Sequence, residues 1–166
     1  MRNFCGVRGR FQRLGTAKGA ALWYDFAHFP EEFLTAVESA RHANSNGGRT
    51  VLACHVAGAK SITGRLSEFV GAMTTADAVV LIADELPAAQ PGLQDARQLA
   101  LLLQESISTT PSPRGDITPT EIIPPGASLA DVLRPTDTCV ITGKNMEYAI
   151  EHEPALTNGL ALGHQA

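Results

Sequence analysis

Chemically able side chains gather beside turns at a few places in this 166-residue sequence. In Tyr24–Pro30 (YDFAHFP) a carboxylate, Asp25, and an imidazole, His28, stand three residues apart, just before a helix start. Such a pair can contact a ribose, a phosphate or an incoming nucleophile. It can equally be a capping turn with an incidental histidine. Gly6–Phe11 (GVRGRF) sets two arginines, one of them Arg10, among glycines. A guanidinium suits planar, two-pronged recognition of phosphate or carboxylate; a solvated basic arm is the other reading. Ala57–Ser61 (AGAKS) resembles a phosphate loop only superficially. The G-x-x-x-x-G-K-[ST] pattern is broken, with Ala59 before Lys60 and Cys54 at the first glycine position. Lys60 and Ser61 still follow an apolar run and precede a helix, where an anion can be held. In Gly143–Glu147 (GKNME), Gly143 allows a tight turn, and Lys144 and Asn145 can face a ligand or simply join strand to helix.

Other chemistries lack support. His42, His152 and His164 have no partners at metal-ligand spacing, and no Ser-His-Asp or Cys-His arrangement emerges. Cys5, Cys54 and Cys139 form no C-x-x-C pair, so neither a zinc knuckle nor a disulfide framework is expected. Hydrophobic residues make up 44% and charged residues 18%, a globular composition. Net charge is −4 with 5% aromatics, which argues against a nucleic-acid surface. No apolar run approaches the roughly 18 residues of a membrane span. The basic N-terminus lacks the apolar core of a secretory signal. A cytoplasmic protein is the expectation.

These residues need elements to position them. Ala20–Phe26 reads as a strand. Pro30 opens a helix with Phe33, Leu34, Val37 and Ala40 on one face, its first turn acidic as N-terminal helix chemistry favours. Thr50–Val56 and Asp77–Ala83 are continuous apolar runs, the mark of strands buried on both faces. Helices are expected over Thr63–Met73 and Gly92–Glu105, a weak strand over Ile117–Ile123, a short helix over Ser128–Leu133 and a last strand over Thr138–Thr142. The alternation predicts an α/β, Rossmann-like three-layer domain with a mostly parallel sheet of about five to six strands. In such folds ligands gather at the carboxyl ends of strands. The spacing divides the chain into a lead-in segment or linker (1–19), the domain (20–153) and a frayed tail (154–166).

Several motifs occur in a telling order: F-x-G-V-R-x-R-F-Q-x-L-G in Phe4–Gly15, D-F-A-H-x-P-E-E in Asp25–Glu32, AAQPGLQDARQL in Ala88–Leu99 and LADVLRPTDTCVITGKNMEYAI in Leu129–Ile150. Together they resemble the C-terminal domain of the Mur ligases, most closely the alanine-adding and muropeptide-recycling members. The resemblance implies a Rossmann-like domain that closes over ATP and positions an L-amino acid, L-alanine, for attack on the acyl phosphate of UDP-N-acetylmuramate in peptidoglycan precursor synthesis. By position, Arg10 matches an arginine approaching ATP phosphate or ribose, and Asp25 and His28 match a pair near the nucleotide. Ala57–Thr63 matches an H-R-x-S-R loop at the reaction centre. Lys60, Ser61, Thr63 and Lys144 are therefore candidate substrate-binding residues, with Lys60 and Ser61 positioning the reacting group.

The family places the P-loop, the UDP-sugar site and most magnesium ligands in two other domains. The 166 residues contain no P-loop pattern, so the chain is expected to be inactive alone. It also departs from the family at Phe29 (for a second histidine), at Gly9 (for an arginine), across AGAKS, in Pro135-Thr136-Asp137 and in Gly143-Lys144-Asn145. These departures keep a second reading open: a non-catalytic binding or regulatory module, or a decayed fragment, that retains the fold.

Overall fold

The computed structural model describes residues 9–45, 47–56, 59–83, 96–124, 127–144 and 146–151, with the side chains of 59–61, 148 and 151 excepted. Of the expected motif Ala88–Leu99, residues 88–95 lie outside the described residues, as do the expected tail at 154–166, residues 1–8 and Asn145. The elements run β1 (Gln12–Ala17), β2 (Ala20–Tyr24), α1 (Pro30–Ala43), β3 (Thr50–His55), α2 (Ala59–Gly64), α3 (Leu66–Met73), β4 (Ala78–Ile82), α4 (Ala96–Thr109), β5 (Thr120–Ile123), a 3-10 turn (Leu129–Asp131), β6 (Thr138–Thr142) and α5 (Met146–Glu151).

The continuous apolar runs build the centre of one six-stranded sheet, ordered β1-β2-β6-β3-β4-β5. β3, β4 and β6 are buried along their whole lengths, as strands covered on both faces must be. Every neighbouring pair is parallel except β1–β2. This is the Rossmann-like α/β sheet that the alternation predicts. Lys18 and Gly19, at φ 46° and 93°, make the two-residue turn that returns β1 onto β2.

The connections decide where a site forms. From β2 the chain steps through β3 and β4 to β5 in one direction, so right-handed crossovers lay α1, α3 and α4 on one face. Their buried residues, including Phe33, Phe69, Leu99 and Leu103, share one core with Leu52 and Val140. From β5 the chain returns to β6 across the opposite face. There Leu129, Leu133, Met146 and Ala149 pack against Val51, Val80 and Ile141. β2 and β6 are neighbours whose outgoing connections leave to opposite faces, which opens a crevice at their carboxyl ends.

Some expectations shift. Leu34 is 40% exposed, and Ala36 joins Phe33, Val37 and Ala40 on the buried face of α1 instead. The helix expected over Thr63–Met73 is two helices, because Arg65 takes a non-helical φ of −135° between them. The helix expected to end at Glu105 continues to Thr109, anchored by fully buried Ile107. The strand expected from Ile117 begins at Thr120, and Ser128–Leu133 supplies a 3-10 turn rather than a helix, with the Ser128 hydroxyl accepting from the Ala130 N–H. Gln12–Ala17 carries no strand-period signature, yet it extends the sheet. No helix among the described residues is long and apolar enough to cross a membrane.

Candidate functional site

β2 delivers Asp25 to the crevice. The Asp25 N–H donates to the Ile141 carbonyl at 3.0 Å, so the residue leaves the sheet still tied to β6. Its side chain turns back to the lead-in segment. Oδ2 accepts from the Phe11 N–H at 2.8 Å, and Oδ1 faces Arg10 Nη1 at 3.4 Å. Burial pushes the Asp25 carboxyl above its usual range, against the pull of the Phe11 N–H and Arg10. Phe11 holds a positive φ of 38° and stacks on Trp23, with ring centroids 4.4 Å apart. This stack seats the segment that carries Arg10 against β2.

Arg10 is half exposed and doubly held. Nη1 also donates to the Phe26 carbonyl at 3.2 Å, and Nη2 reaches Glu32 Oε1 at 3.0 Å. The Glu32 hydrogen bond is the foremost cause that raises the Arg10 pKa above its ordinary value. The other Glu32 oxygen accepts from the His28 N–H at 2.7 Å and the Phe29 N–H at 3.2 Å. Burial works to raise the Glu32 carboxyl, but these donors outweigh it and hold the group below its usual range. The His28 ring meets the edge of Phe26, with centroids 4.2 Å apart.

On the other side of the crevice, β6 ends in Gly143–Lys144. The buried Tyr24 hydroxyl donates to the Lys144 carbonyl at 2.6 Å, pinning this turn to the end of β2. Burial first, then the Asp25 and Glu147 carboxylates, raise the Tyr24 pKa, so the phenol stays a donor. Tyr24→Phe is expected to lower stability by about 1–2 kcal/mol, since it strands the carbonyl. The melting temperature should fall by about 2–8 °C in a calorimetric scan. A shallow recess lined by His28, His55, Ile62 and Gly143 joins the ends of β2, β3 and β6 to α2.

The expected residues are therefore placed unequally. Arg10, Asp25 and the His28 peptide form one hydrogen-bonded cluster, and Lys144, partly buried, lies on the adjoining turn. Lys60 and Ser61 fall in the first turn of α2, with their side chains outside the described residues, and Thr63 lies exposed further along it. Sequence reasoning misses Glu32 and Tyr24. For Glu32 a signal existed, since an acid three residues past the helix cap can reach back to the cap N–H. For Tyr24 none did, because its partner is 120 residues away. Among the described residues, no three His, Cys, Asp or Glu side chains stand together as a metal site.

No protein-family model matches the chain. Its sequence is 33% identical over 150 residues to the UDP-N-acetylmuramate–L-alanine ligase of Rubrobacter xylanophilus, a match covering 85% of this chain and 31% of that protein. It is 40% identical over 80 residues to the enzyme of the same name from Mycolicibacterium smegmatis, covering 48% of this chain and 17% of that one. The chain thus spans less than a third of the length of these curated relatives. Among solved structures, UDP-N-acetylmuramate-alanine ligase of Thermotoga maritima superposes with a TM-score of 0.55 over 94% of this chain and 31% of that one. At 14% identity this is a likeness of fold.

Proposed function

We propose a function that proceeds from the family: the chain belongs to the Mur ligases, as a C-terminal domain of that family. It works as the domain that closes over ATP and positions L-alanine for attack on the acyl phosphate of UDP-N-acetylmuramate, in the cytoplasm. The amine forms the amide and phosphate leaves. The observation that carries this reading is the Arg10–Asp25–His28 cluster at the carboxyl end of β2, beside the switch between β2 and β6.

The donor set fits a nucleotide. A guanidinium suits phosphate or ribose oxygens, and the Asp25 carboxylate suits ribose hydroxyls. Lys60, Ser61, Thr63 and Lys144 take the reacting carboxyl, its phosphate or the amino acid. ATP supplies the phosphoryl group, and the UDP-sugar and P-loop domains, with most magnesium ligands, come from the parent enzyme or a separate chain. What this chain contributes is orientation and the exclusion of water.

The reading is tested in a mixture of this chain with a Mur ligase fragment that carries the other two domains. In ATP-dependent alanine ligation, Arg10→Ala and His28→Ala should each raise KM for ATP by about tenfold or more. For Arg10 that corresponds to one charge-assisted contact of about 1.5–3 kcal/mol; for His28 the variant removes only the ring, since its peptide N–H stays on Glu32. KM for alanine should move far less. An unchanged KM for ATP in both variants contradicts the nucleotide role. Phe29, 53% exposed where the family places a second histidine, favours the second reading, a binding or regulatory module. A folded chain that supports no ligation in the mixture selects it.

A further inference from the structure

We infer that Glu32 is the positioning residue of the nucleotide-facing turn, one carboxylate that fixes both the Arg10 guanidinium and the His28 peptide. As far as it concerns ATP, the inference rests on the reading of Arg10 and His28 above. Phe29 caps α1 and has no side-chain acceptor, so the N–H groups entering the helix need one from elsewhere. Glu32 reaches back and supplies it to His28 and Phe29 through one oxygen, while its other oxygen takes Arg10.

The remaining partners of Arg10 hold it less firmly. Asp25 stands further off, at 3.4 Å against 3.0 Å for Glu32, and is already committed to the Phe11 N–H. Glu31, one residue earlier, is turned the other way, onto Arg65 at 2.6 Å. Two adjacent acids thus do separate work, one joining α1 to α3 and the other tying the helix start to the lead-in segment. Because Glu32 already occupies the N–H groups of His28 and Phe29, an incoming anion meets Arg10 rather than the helix start. Glu32 itself touches no reacting atom; it acts through the two groups it holds.

The test is Glu32→Gln in the whole chain, which keeps size and removes charge. In nitrogen-15 NMR spectra, the His28 and Phe29 amides should move upfield and the order of the Arg10 Nε–H should fall. In the two-component ligation assay, KM for ATP should rise about tenfold with kcat within about twofold. On an Arg10→Ala background, Glu32→Gln should raise KM clearly less than it does in the wild-type chain, leaving only the part that acts through His28, a coupling that a merely structural cap would not show. Unmoved amides with an unchanged Arg10 signal overturn the inference, and so does a KM effect fully additive with Arg10→Ala. If the wild-type mixture does not ligate, the ATP reading fails, and the NMR result alone decides whether Glu32 positions these groups.

Discussion

Gly143→Ala is expected to destabilise the chain by about 2–5 kcal/mol. Gly143 holds a φ of +89°, and a methyl group there would stand 2.3 Å from the His55 carbonyl oxygen. The left-handed backbone costs a non-glycine residue about 1–2 kcal/mol. Forcing two backbones apart adds about 1–3 kcal/mol. Neither neighbour can yield easily, since β3 and β6 are paired in register up to Cys54 and Thr142. Gly47 offers the comparison, because it has a φ of +67° but nothing within 4 Å of an added methyl. Gly47→Ala should therefore cost only the conformational part. Urea denaturation of both variants checks the account, and equal losses would contradict the close approach of the two strand ends. Any Gly143→Ala protein that folds should also lose ligation in the mixture, as the Lys144 turn is displaced.

Asp137→Ala should cost about 3–5 kcal/mol, the usual result of breaking a buried pair. The Asp137 side chain is fully buried at the start of β6. It accepts from Arg49 Nε at 3.1 Å, from Arg49 Nη2 at 2.6 Å and from the Arg134 N–H at 2.8 Å. Alanine would leave Arg49 without its charge partner and the Arg134 N–H without an acceptor. Burial works to raise the Asp137 carboxyl, but Arg49 and the Arg134 N–H outweigh it and lower its pKa. With the folded value below the unfolded one of about 3.9, its stabilisation is present above that unfolded value. It is lost as pH falls from there through the folded value. The wild-type chain should therefore lose more stability than Asp137→Ala on acidification through this window. Parallel unfolding curves against pH would contradict the assignment.

The sheet centre is legible in the sequence because strands buried on both faces are written as uninterrupted apolar runs. TVLACH, AVVLI and TCVIT carry that signature and fill the middle positions. β1 is illegible for the opposite reason. QRLGTA has neither alternation nor an apolar run, and its place follows from the Lys18–Gly19 turn and the Phe11–Trp23 stack. The break between α2 and α3 is likewise a matter of one residue's backbone, at Arg65, in a sequence whose apolar spacing would suit a single helix.

The candidate site divides along the same line. Arg10, Asp25 and His28 announce themselves by residue type beside a turn. Position relative to the cap marks Glu32 as the acid that can reach back to the helix start, but only the folded chain sends Glu31 to Arg65 and Glu32 to Arg10. The Tyr24–Lys144 contact joins residues from opposite ends of the domain and leaves no local pattern.

The most direct test of the domain's role is ATP-dependent ligation of L-alanine to UDP-N-acetylmuramate, followed by release of ADP. It compares this chain, the two-domain Mur ligase fragment, and their mixture. ADP release and amide formation are expected in the mixture alone and are lost when the chain is omitted. A mixture no more active than the fragment by itself, with the chain shown to be folded, would contradict that role.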